Sequence, residues 1–137
     1  MRRSSGKKIL RRLSPMRGRP LRATLLDAIT IAQRRGLVQR SMNSPDRLYD
    51  LTIVGIQPIT FIKLRFAPEI LAALSQIIRD YREDIRRLRF VCHDATVSLE
   101  LWLRSRYGTW RFFRIENDNV FEIDREGRPL GTGPVRA

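Results

Sequence analysis

The chain has 137 residues, 42% of them hydrophobic, and its formal net charge is +13. That length suits one domain with a real core, and the hydrophobic fraction excludes a chain that is disordered throughout. A single cysteine excludes an intrachain disulfide and a multi-cysteine zinc site. No apolar run approaches the ~20 residues of a membrane span, and no secretory signal follows the basic N-terminus. We therefore expect a cytoplasmic protein with no membrane span.

The positive charge is concentrated at the N-terminus. Residues 1–22 hold nine Lys and Arg and no Asp or Glu, whereas the other 115 residues have a net charge of +4. Such a segment repels itself unless it meets an anion, and phosphate backbones release counterions when they bind it. An anionic membrane surface and a solubilising tail are the alternatives. We expect nucleic acid, DNA rather than RNA, to contact Arg2, Arg3, Lys7, Lys8, Arg11, Arg12, Arg17 and Arg19.

Turn-forming residues divide the chain into an arm, a domain and a tail. Glycine and proline interrupt residues 1–19, which we expect to be a flexible basic arm. Residues 20–126 form the predicted single domain, and residues 127–137 a loose tail. The first predicted helix covers residues 21–35, between a proline that suits its first position and a glycine that suits its C-terminal cap.

Strands and one long helix follow in alternation. A short strand is predicted at 37–41, and strands at 48–54 and 59–66 form a hairpin. Apolar residues at three- and four-residue steps then predict a helix over 68–88. Strands at 97–104, 109–115 and 120–124 complete the chain. This order predicts an α/β fold: a mixed sheet of about four to five strands with a helix packed on each side.

Charged residues in the hairpin form the candidate site. Asp50 stands near the start of its first strand, and Lys63 and Arg65 stand in its second strand. Lys63 and Arg65 share one face of that strand because side chains alternate. A hairpin brings Asp50 close to both, beneath the covering helix.

Residues 21–115 resemble the PD-(D/E)xK, or restriction-endonuclease-like, nuclease superfamily, and within it the archaeal Holliday junction resolvases. The shared layout is a helix, a strand with Asp50, a strand with a triplet ending in a cation, a covering helix and further strands. The resemblance implies a restriction-endonuclease-like fold and Mg²⁺-dependent phosphodiester hydrolysis. It assigns Asp50 as the first metal ligand, Lys63 and Arg65 as the catalytic cations, and Glu69, in the first turn of the helix, as a displaced second ligand.

The chain departs from the family motif at the second acid. Lys63 takes that place in one register of the triplet and Phe61 in the other. A cation cannot ligate Mg²⁺. We therefore expect a nucleic-acid-binding protein with impaired or absent catalysis. The alternatives are a Mg²⁺-dependent, structure-selective endonuclease and a protein-interaction module of a nucleoprotein assembly. A homodimer is compatible with the resemblance.

Two further residues have predicted contacts in the later strands. Arg111 lies among aromatic residues that we expect to be mostly core, and it is a candidate phosphate contact. Glu100 lies in an apolar strand, where exposure is the simpler account. If it faces inward, it needs a partner, and an arginine is expected.

Overall fold

The computed structural model describes residues 22–41, 47–55, 58–91, 94–131 and 133–137. In chain order the elements are α1 (Arg22–Ala32), β1 (Leu37–Arg40), β2 (Leu51–Val54), β3 (Ile59–Phe66), α2 (Leu74–Asp80), α3 (Arg82–Leu88), β4 (Val97–Arg104), β5 (Trp110–Ile115), β6 (Asn119–Ile123) and β7 (Val135–Arg136). The seven strands form one sheet in the order of the sequence. β3 and β4 are parallel, and the other neighbouring pairs are antiparallel. None of the helices in these ranges is long and apolar enough to cross a membrane.

The predicted sheet of four to five strands with a helix on each side is wrong, because the described residues form a sheet of seven strands and three helices. The two edge strands are short: β1 corresponds to the strand predicted at 37–41, whereas β7 lies within the predicted tail and was not expected. β1 pairs with β2 over four residues, and β7 adds two residues beside β6. Most of their side chains are exposed, so the alternation of buried and exposed residues that predicts a strand is weak there. Backbone pairing to a neighbouring strand defines them instead.

The long helix predicted over residues 68–88 is replaced by a turn and two short helices. Ala73 is extended, with φ −62° and ψ 155°, so α2 begins only after it. Tyr81 separates α2 from α3, with φ −112° and ψ 25°. The N–H of Tyr81 still donates to the carbonyl of Ile77, and the N–H of Ile85 donates to the carbonyl of Tyr81. The apolar stripe therefore continues through the break, although the helix starts later than its pattern predicted.

Each face of the sheet carries its own core. On one face, Ile31 of α1 packs with a cluster that includes Trp102 and Phe112. On the other face, Ile85 of α3 packs with a cluster that includes Leu101. Leu101 and Trp102 are neighbours in β4, and both side chains are fully buried. The central strand β4 is therefore covered on both faces, as is usual beside a parallel crossover.

The two ends of the β3–β4 pair differ in what surrounds them. We call the end where both strands finish the carboxyl edge. Near it, Asp27 of α1 accepts a hydrogen bond of 3.2 Å from Nε of Arg104, the last residue of β4. Arg35, which follows α1, instead reaches Glu100 in the first half of β4. Arg22, the first described residue, therefore lies toward the carboxyl edge.

Candidate functional site

Backbone hydrogen bonds fix Asp50 just before β2 begins. Its N–H donates to the carbonyl of Ile62 at 2.7 Å, and its own carbonyl accepts from the N–H of Ser41 at 2.9 Å. Asp50 is thus held between β3 and the end of β1. Its neighbour Leu51 belongs to the core under α1, so alternation turns the Asp50 side chain toward α2 and α3.

Both carboxylate oxygens of Asp50 have partners within the chain. Oδ1 accepts a 2.9 Å hydrogen bond from Nε of Arg47, and Oδ2 accepts a 2.8 Å bond from the N–H of Leu64. The Lys63 ammonium lies 3.8 Å from the same Oδ2. Asp50 and Lys63 are both buried. The hairpin therefore brings together the two residues singled out from its sequence.

Arg65 pairs with a different carboxylate. Its Nη1 donates to both oxygens of Asp84 in α3, at 3.0 and 3.1 Å, and its guanidinium lies 6.0 Å from the ring centre of Tyr81. The Asp84 charge also acts on Lys63. Asp84 was not among the residues selected from the sequence, although its position in the helical pattern indicates that it faces the sheet. It stands three residues after Tyr81 and four before Leu88, on the buried stripe of the covering helices.

Burial dominates the protonation of the Asp50–Lys63 pair. It raises the pKa of the Asp50 carboxyl, although the charges of Lys63 and Arg47 and the N–H of Leu64 oppose the rise. It lowers the pKa of the Lys63 ammonium, against the favourable charges of Asp50 and Asp84. Removal from water therefore outweighs the attraction within the pair.

The residues around Asp50 do not fit a magnesium ion. Mg²⁺ needs free carboxylate oxygens, whereas those of Asp50 already face Arg47, Lys63 and a backbone N–H. Glu69, the predicted second ligand, is exposed in the turn before α2 rather than in a helical turn. Within the described ranges, no three or more His, Cys, Asp or Glu residues are grouped so that they could hold a metal.

Glu100 forms a second ionic cluster, on the α1 face of β4. Its side chain is fully buried, so the exposed alternative is wrong. Arg35 donates two hydrogen bonds to it, both of 2.9 Å, and the indole N–H of Trp102 donates a third of 2.9 Å. Nη2 of Arg114 lies 3.7 Å away. The inward carboxylate thus has the arginine partner that burial requires.

Arg111 ties β5 to the loop that precedes α2. Nε and Nη2 donate to Glu122 at 2.9 and 2.7 Å, and Nη1 donates to the carbonyls of Ile70 and Ala72 at 2.7 and 2.6 Å. The guanidinium also lies 5.2 Å from the ring centre of Phe113. In this arrangement the guanidinium holds the loop in place.

A groove of about 520 Å³ opens at the carboxyl edge, and the sequence reasoning missed it. Residues 68–71 form one wall, and residues 105–107 with Thr109 form the other. We call it the carboxyl-edge groove. Leu71 is 87% exposed on the first wall, and Tyr107 is 86% exposed on the second. Large side chains with this exposure often mark an interaction site when they lie together.

The predicted contacts of the arm, from Arg2 to Arg19, lie outside the residues that the structure describes. No family model matches this chain, and neither a curated protein nor a solved structure matches it. Its function must therefore be argued from its own residues.

Proposed function

We propose that this chain binds nucleic acid through its N-terminal arm and does not cut the strand that it binds. The observation that carries the proposal is the separation of charge: nine cations and no acid in residues 1–22, against a net charge of +4 in the other 115 residues. A cluster of this density gains most from a polyanion whose condensed counterions it can release. DNA is the first partner to test, with RNA beside it.

The two cations paired with Asp50 support binding of nucleic acid without hydrolysis. A metal ion at this carboxylate would have to displace the Arg47 guanidinium and the Lys63 ammonium, which lies 3.8 Å from Oδ2. The leftover cations would then repel the metal. Arg47 and Lys63 already supply the positive charge that a bound metal ion would bring to the Asp50 carboxylate.

A metal-dependent, structure-selective endonuclease is the second candidate, and Asp84 is the observation that favours it. Asp84 brings a second carboxylate from α3 to Arg65 and close enough to act on Lys63. This candidate requires cleavage of duplex or branched DNA in Mg²⁺ or Mn²⁺ that Asp50→Ala abolishes. Intact DNA after incubation with the full chain and either metal would rule it out.

The binding proposal is tested by fluorescence anisotropy with labelled duplex DNA, single-stranded DNA and RNA. We expect affinity to fall about 10³- to 10⁵-fold between about 50 and 200 mM salt, as six to ten phosphate contacts require. Deletion of residues 1–19 should abolish most of the binding while the circular dichroism of the domain stays unchanged. No binding to any of the three at about 100 mM salt would overturn the proposal.

A charge-matched pair of variants separates the arm from net charge. One variant replaces Arg2, Arg3, Lys7 and Lys8 with Gln, and the other replaces Arg79, Arg82, Arg86 and Arg87 of α2 and α3 with Gln. Both lose four positive charges. We expect the arm variant to bind weakly and with a shallower salt dependence, and the helix variant to bind nearly as the unmodified chain does. Equal loss in the two variants would mean that net charge alone drives binding.

A further inference from the structure

We propose that the carboxyl-edge groove takes an unpaired nucleobase, stacked on Tyr107, so that the chain prefers single-stranded or branched nucleic acid to a blunt duplex. The proposal rests on the proposed function, because the arm supplies the general affinity. The groove adds a preference for strands that contain unpaired bases. Stacking on an aromatic ring requires a base that is not already stacked within a helix.

The turn between β4 and β5 holds Tyr107 outward on a fixed backbone. Ser105 is buried, and its Oγ accepts hydrogen bonds from the N–H groups of Tyr107, at 3.2 Å, and Thr109, at 3.1 Å. Gly108 completes the turn with a positive φ of 83°, which side chains other than glycine rarely adopt. Tyr107 is thus 86% exposed on a turn whose backbone is hydrogen-bonded to a buried side chain.

The opposite wall of the groove is fixed as well. Arg111 holds this wall through the carbonyls of Ile70 and Ala72, and Leu71 between them is 87% exposed. Leu71 lines the same groove as Tyr107 and offers it an apolar surface. A flat base with two apolar faces suits a space between an aromatic ring and an aliphatic side chain, and its polar rim can remain in water.

Arg106 gives the groove a positive charge beside the ring, and Glu69, on the segment before α2, gives it a negative one. Arg106 is exposed, and among the described residues it has no hydrogen bond or ion pair. Most other arginines of the domain are paired, as Arg65 is with Asp84 and Arg111 with Glu122. The guanidinium of Arg106 is therefore available for the phosphate next to a stacked base.

The arm joins the domain at the same end of the sheet. Arg22 begins α1, and Asp27 of the same helix contacts Arg104 at the carboxyl edge. Five residues of helix span about 7.5 Å, so Arg22 lies within one to two turns of that contact. A strand bound by the arm is consequently held at a high effective concentration near the groove.

The other end of the β3–β4 pair does not suit a polyanion. A cavity of about 630 Å³ opens there, and its lining includes three carboxylates, those of Asp94, Glu116 and Asp118, against one guanidinium, that of Arg114. Carboxylates repel phosphates at short range. The groove at the carboxyl edge has one carboxylate in its lining, that of Glu69, beside the Arg106 guanidinium, so it suits a nucleic acid held by the arm better than this cavity does.

The test compares the full chain with Tyr107→Ala on two labelled probes: a single-stranded oligonucleotide containing 2-aminopurine and a blunt duplex of matched length. We expect Tyr107→Ala to weaken single-strand binding about 5- to 100-fold, the range for one lost base–aromatic stack, and to change duplex binding by less than about twofold. The unmodified chain should also quench 2-aminopurine emission, and Tyr107→Ala should not.

Two controls keep this result specific to the ring at the groove. Tyr107→Phe retains the ring and should retain both affinity and quenching. Phe90→Ala removes another exposed aromatic, 66% exposed and beyond the end of α3, and should leave single-strand binding unchanged. Single-strand binding by Tyr107→Ala that equals that of the unmodified chain, or equal losses in Tyr107→Ala and Phe90→Ala, would overturn the inference alone. A full chain that binds neither probe would instead overturn the proposed function.

Discussion

Two buried carboxylates lie on opposite faces of the sheet, and the chain neutralises them in different ways. Glu100 faces α1 and accepts both ends of the Arg35 guanidinium at 2.9 Å. Asp50 faces α2 and α3, where it accepts one guanidinium bond from Arg47 at 2.9 Å and has the Lys63 ammonium 3.8 Å away. Glu100 is therefore held by a bidentate guanidinium, whereas Arg47 and Lys63 each make one contact with Asp50.

The difference appears in the pKa values of the cationic partners. Burial acts to lower the pKa of Arg35, but its hydrogen bonds to Glu100 and the Glu100 charge outweigh burial, and the pKa is raised. Burial prevails at Lys63, where the pKa is lowered. Two parallel hydrogen bonds compensate a buried guanidinium better than the charges of Asp50, 3.8 Å away, and Asp84 compensate the Lys63 ammonium. Hydrogen-bond geometry, rather than burial alone, thus decides the direction in which the pKa of each cation shifts.

The largest expected effect is that of Glu100→Ala. It leaves Arg35 and Arg114 without their buried carboxylate, and we expect the free energy of unfolding to fall by about 3 kcal/mol, as when one partner of a buried pair is removed. Urea unfolding followed by tryptophan fluorescence measures it. Glu83→Ala is the control, because Glu83 pairs with Arg86 on the exposed side of α3 and its loss should leave the midpoint unchanged. A stable Glu100→Ala variant would show that this cluster does not tie α1 to the sheet.

Asp50→Asn should destabilise the fold less, by about 1–2 kcal/mol. The amide oxygen can still accept the hydrogen bond from the N–H of Leu64, while the charge that faces Arg47 and Lys63 is lost. The same urea unfolding experiment measures this change in the free energy of unfolding. If Asp50→Asn proves more destabilising than Glu100→Ala, the comparison is reversed, and the hairpin cluster is the stronger tie.

The smallest expected effect is a pH dependence that Lys63→Met removes. Because the pKa of Lys63 is lowered on folding, the unfolded chain holds more protons from the folded pKa up to about 10.4, and stability rises with pH across that window. Urea unfolding between about pH 8 and pH 10 should show this rise in the unmodified chain and a flatter profile in Lys63→Met. The pKa of Tyr81 is raised and has the opposite effect above about pH 10, so the series stops there. Identical profiles in the two proteins would contradict the lowered pKa.

The pattern along α2 and α3 shows which features local periodicity predicts and which it does not. The three- and four-residue steps predicted one buried stripe, and Ile77, Ile85 and Leu88 of that stripe are buried, because helical spacing needs no knowledge of the rest of the fold. Leu71, which belongs to the same predicted stripe, is 87% exposed. The same steps did not reveal the extended Ala73 or the break at Tyr81. Those depend on how the loop before α2 is held, and its anchor, Arg111, lies about 40 residues later in the chain.

The sequence by itself determined the uneven charge, the hairpin that brings Asp50 to Lys63, and the stripe that covers the sheet. These features depend on residues close together in the chain or on composition alone. Tertiary structure decided the seven-stranded sheet, the inward turn of Glu100 and the approach of Asp84 to Arg65. It also decided that Tyr107 and Leu71 line one groove. Each of these joins segments far apart in sequence, so its energy depends on a partner that no local pattern contains.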